Sequence, residues 1–134
     1  LCNRFNNKEY FNIPLAHLTL MHLIRAESLA ELDTDLETAI DDINIIRDRA
    51  FGAGNFLLPL TSTSEEIRDA ARDEFRKETA GEGLWTEQLL RRGTMGEAIT
   101  IRNAPWDCPG MSLQFSNSEN TVDGFILNEE GGCL

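Results

Sequence analysis

The chain has 134 residues, enough for one domain of ordinary size, and 41% of them are hydrophobic, so a packed core is expected and global disorder is not. A formal net charge of -11 excludes the basic footprint of a nucleic-acid binder and disfavours contact with anionic lipid. No apolar run is long enough to cross a membrane, and the three cysteines, Cys2, Cys108 and Cys133, form no C-x-x-C pair, which argues against zinc and thioredoxin-like chemistry.

The sequence opens on Leu1-Cys2-Asn3 without an initiating Met or a signal segment, and the expectation is that something upstream has been removed. Asn3 to Asn12 is a polar lead-in carrying Phe5, Tyr10 and Phe11. Pro14 fits the first turn of a helix predicted to reach about Leu32. Its leucines, Met21, Ile24 and alanines are apolar nearly all round, so this helix is expected to be covered on several sides. Asp33-Thr34-Asp35 is a short connector, and Thr34 with Glu37 has the spacing of a capping box. A second helix follows with Leu36, Ala39, Ile40, Ile43, Ile46 and Ala50 on one stripe and Glu37, Asp41, Asp42 and Asp48 opposite. Gly52 and Gly54 end it. So short a turn between two helices predicts an antiparallel αα-hairpin.

Phe56, Leu57, Leu58, Pro59 and Leu60 make an apolar crossing loop expected to pack on the helices. Thr63 and Glu66 form another capping box, opening a third helix that runs to about Thr79 and breaks at Gly81-Glu82-Gly83. A short fourth helix is predicted from Trp85 to Arg92, closed by Gly93. Beyond it helical periodicity disappears. Ile99–Arg102, Leu113–Phe115 and Phe125–Leu127 are short and of extended type, and an irregular tail with at most a small hairpin is expected over 94–134. The two helix pairs, 15–50 and 64–92, permit a helical-repeat architecture without proving one.

Few residues carry chemistry. On the third helix Glu74 and Glu78 fall on the apolar face with Ile67, Ala71 and Phe75, while Arg68, Arg72 and Arg76 form the outer stripe. Carboxylates on a core face need partners, because burying them bare costs several kcal/mol. Paired carboxylates also suit a metal or acid–base site, but that needs a Glu-x-x-His partner, and neither His17 nor His22 sits in one. The preferred reading is an inter-helix ion-pair lock with Arg25, a cation on the apolar stripe of the first helix. His17 and His22, five apart, read as packing or surface residues. Asp33-x-Asp35-x-Glu37 lacks the glycine of a calcium loop, and Gly81-x-Gly83 does not continue as a phosphate loop. No catalytic residue, metal or cofactor is assigned.

Trp85, beside Leu89, reads as core. Trp106 lies between Pro105 and Asp107 and admits two roles: an anchor for the tail, or a platform for the apolar face of a sugar. The anchor is preferred, and Trp106 remains the one candidate carbohydrate contact. Cys108 and Cys133 both sit in Gly/Pro-rich segments. A disulfide between them would close a loop of about 25 residues and contribute roughly 3–4 kcal/mol. Two buried thiols are the rival reading.

Phe11-Asn12-Ile13-Pro14, Leu23-Ile24-Arg25-Ala26-Glu27 and the run from Ala39 to Ala50 resemble the C-terminal region of the SusD/RagB family. So do the run from Glu74 to Gly83, Leu89-Leu90-Arg91-Arg92-Gly93 and the closing Asn128-x-x-Gly131-Gly132-Cys133. Order and spacing agree along nearly the whole chain. The resemblance implies an all-α fold of antiparallel, tetratricopeptide-like helix pairs, residues 1–93 of a single domain, followed by the irregular tail. It also implies a lipid-anchored protein on the outer-membrane surface of Bacteroides-like bacteria. Such proteins bind glycans for nutrient uptake and work with a TonB-dependent, SusC-like transporter, and no enzymatic activity is implied. His17 and Leu20 depart from the Arg and Glu that members often carry, so that polar couple is altered. Leu84-Trp85 and Gln88-Leu89 stand where members often carry a basic or aromatic pair and then Asp-Leu. Family glycan sites draw largely on segments upstream of this region. The alternative is a helical-repeat protein–protein interaction module without glycan binding of its own.

Overall fold

The computed structural model describes residues 16–111, 116, 118, 121–124 and 133. Four helices appear in chain order: α1 (Leu18–Glu31), α2 (Leu36–Phe51), α3 (Ser64–Glu78) and α4 (Leu84–Thr94). A two-stranded antiparallel hairpin follows, β1 (Thr100–Ile101) with β2 (Ala104–Pro105), and then a 3-10 turn over Pro109–Met111. The expected all-α class with a small hairpin in the tail is what the chain adopts. Pro14 and the expected extended segments at 113–115 and 125–127 lie outside the described residues.

Local chemistry explains most boundaries. α1 starts at Leu18, because His17 is extended (φ -108°, ψ 135°) and serves as its N-cap. At the other end Asp33 takes φ 51°, the Thr34 amide donates to Leu29 O and the Asp33 amide donates to Ala30 O. This is a Schellman closure with an aspartate in the left-handed position usually held by glycine. It corrects the capping box expected at Thr34 and Glu37. The N-cap of α2 is Asp35, at φ 44°, and it makes no side-chain cap. The second capping box does form: the Thr63 amide donates to Glu66 Oε2 at 2.8 Å and the Glu66 amide donates to Thr63 Oγ1 at 3.2 Å. α4 runs through Gly93 and closes instead at Gly96, whose φ of 94° suits a left-handed residue. The β1–β2 turn places Arg102 and Asn103 at positive φ, as a two-residue primed turn requires.

The chain divides into two compact units, Leu1–Glu78 and Thr79–Leu134. In the first, α1 packs most extensively on α3 and also on α2. The core is made of Ala26, Ala30, Ala39, Ile40, Ile43, Ile67 and Ala71, with Leu29, Leu36, Leu58 and Ala70 against it. Alanines on all three helices let the backbones approach closely, and each buried isoleucine contributes about 1.5–3 kcal/mol relative to exposure. α1 turns inward a different face from the one containing Leu18, Met21 and Leu32. Leu23, Ala26 and Ala30 are buried, while Leu18 and Leu32 stand in solvent. The second unit holds α4, the hairpin and the described tail residues, joined by a disulfide between Cys108 and Cys133 with their Cα atoms 5.5 Å apart. The thiol alternative is thereby set aside.

Candidate functional site

The charged groups that the helices bury are the informative ones. Among the described residues, Asp42, Arg72 and Glu74 are buried ionisable side chains, and each is paired. Glu74 accepts from Arg47 Nε at 2.9 Å and from Lys77 Nζ at 3.1 Å. Glu78 accepts from Arg49 Nη2 at 2.6 Å. The expected lock on α3 therefore exists, but its partner is α2, not Arg25 of α1. Arg25 instead binds Asp42, Nε to Oδ2 and Nη2 to Oδ1, both at 2.6 Å. The physical reason is the facing of α1. Arg25 lies on its outward face, beside the second helix, and the contact with α3 is made by Glu27 and Glu31. Those two carboxylates hold Arg72, with Nε and Nη2 at 2.7 and 2.8 Å.

Asp42 and Arg72 correct the sequence reading as well, since both belong to faces assigned to solvent. Asp42 is 1% exposed. It lies three residues after Ala39 and four before Ile46, both buried, so the helical period does mark it as inward. Its Oδ1 also meets His22 Nδ1 at 2.6 Å. Burial pushes the Asp42 carboxyl up, but the hydrogen bonds and charges of Arg25 and His22 outweigh this and hold it below the usual carboxylate range. Arg25 is raised in return, first by its hydrogen bond to Asp42. Lys77 is raised chiefly by its hydrogen bond to Asp73.

A recess of about 300 Å³ opens between α1 and α2, lined by Leu18, Thr19, His22, Ile45, Ile46 and Arg49. Its walls are mainly apolar. Arg49 donates to Thr19 Oγ1 at 3.1 Å besides holding Glu78, and His22 is tied through Nδ1 to Asp42. None of the residues that line it is a carboxylate. Among the described residues no cluster of three His, Cys, Asp or Glu side chains is placed to hold a metal.

In the second unit the tail is fixed to α4. The half-buried indole of Trp106 lies directly on Gly93, where an added Cβ would overlap the ring. Gly93 is thus inside the helix for a packing reason and does not stop it. The Trp106 amide donates to Ile99 O at 3.2 Å and the Cys108 amide donates to Pro105 O at 3.2 Å, so the ring, the hairpin and the disulfide form one continuous attachment. Trp85 is half-buried.

Comparison with known proteins gives one result. The sequence model of the SusD family matches residues 7–107, a span that includes α1 to α4 and the hairpin. Searches of curated proteins and of solved structures returned no match.

Proposed function

This chain belongs to the SusD family, and from that premise we propose that it is the C-terminal helical part of a glycan-binding protein of nutrient uptake. In this reading the protein is non-catalytic, sits at the outer-membrane surface through a lipid anchor upstream, and delivers oligosaccharides to a TonB-dependent, SusC-like transporter. The observation that carries the reading is the extent of the family match, which covers the whole helical frame.

The side-chain arrangement agrees with a non-catalytic role. Glu74 and Glu78, the carboxylates most suggestive of acid–base work, are committed to Arg47 and Arg49. Among the described residues no helix is long and apolar enough to cross a membrane. Trp106, half-buried with its ring on Gly93, is the candidate sugar contact. The test is deletion of the coding sequence. Growth on one polysaccharide should fail while growth on simple sugars continues. A deletion strain that grows normally on every polysaccharide its parent uses would overturn the reading.

A further inference from the structure

We draw no further inference here: the strongest candidate, the recess of about 300 Å³ between α1 and α2 where His22 and Arg49 meet Leu18, Ile45 and Ile46, is a mainly apolar surface, and nothing in the structure shows what covers it.

Discussion

Arg25 and Asp42 face each other across α1 and α2 with two hydrogen bonds of 2.6 Å, one to each carboxylate oxygen. The pair is asymmetric in exposure: the Asp42 side chain is 2% accessible and that of Arg25 is 57%. Removing the buried partner is therefore the more costly change, because only Asp42 paid a large desolvation cost to be there. Asp42→Ala should destabilise the protein by about 2–4 kcal/mol. Arg25→Ala should cost less, because His22 still reaches the carboxylate. Urea titration of both variants checks the order.

The same pair sets an acid limb. The Asp42 carboxyl is held below its ordinary range in the folded protein, so its contribution is complete above the unfolded value of about 3.9. It disappears as pH falls through the lower folded value. Wild-type stability should decline below about pH 4, and Asp42→Asn should flatten part of that decline while being less stable near neutrality. Urea midpoints across acid pH measure it, and parallel curves for the two proteins would contradict the assignment.

Glu74 should couple to Arg47 and not to Arg25. A double-mutant cycle on Arg47 and Glu74, to alanine, is expected to give about 1–3 kcal/mol of interaction, given that both are largely buried. The cycle on Arg25 and Glu74 should give about zero. Equal coupling in both cycles would restore the lock first expected between those residues.

Why the lock was legible and its partner was not is a matter of range. Carboxylates at Glu74 and Glu78 among Ile67, Ala71 and Phe75 announce a buried charge through helical period alone. Choosing the partner requires knowing how α1 is turned, and α1 is apolar on nearly every face, so its pattern does not say. Asp42 and Glu27 with Glu31 held usable signals: an acid between two core positions of α2, and two acids one turn apart facing Arg72. The Thr63–Glu66 capping box was legible because it is local. Its counterpart at Thr34 fails because Asp33 and Asp35 both take left-handed conformations and the Thr34 amide closes α1 instead. The contact of Trp106 with Gly93 spans the hairpin, and no helical or strand period marks it.

That contact yields a further prediction. Gly93→Ala should disturb the second unit by about 1–3 kcal/mol, as overpacking does, and shift the tryptophan emission. In a Trp106→Ala background the same change should be nearly neutral. If Gly93→Ala costs as much without the indole as with it, the ring is not what demands the glycine.

The disulfide is expected to matter to the same unit. Reduction should open Cys108 and Cys133 to alkylation and lower stability by about 3–4 kcal/mol from the chain-entropy argument. Intact mass after alkylation, with and without reductant, reads the first. Thermal melts read the second.

Under the proposed function, this chain serves a protein that binds glycans and does not transform them. Calorimetric titration of the complete protein with oligosaccharides from the polysaccharide its host grows on, followed by chromatography of the recovered sugar, tests it most directly. The prediction is a saturable isotherm and sugar recovered unchanged. Shortened or modified sugar in the recovered fraction, or no saturation with any oligosaccharide the host consumes, would contradict it.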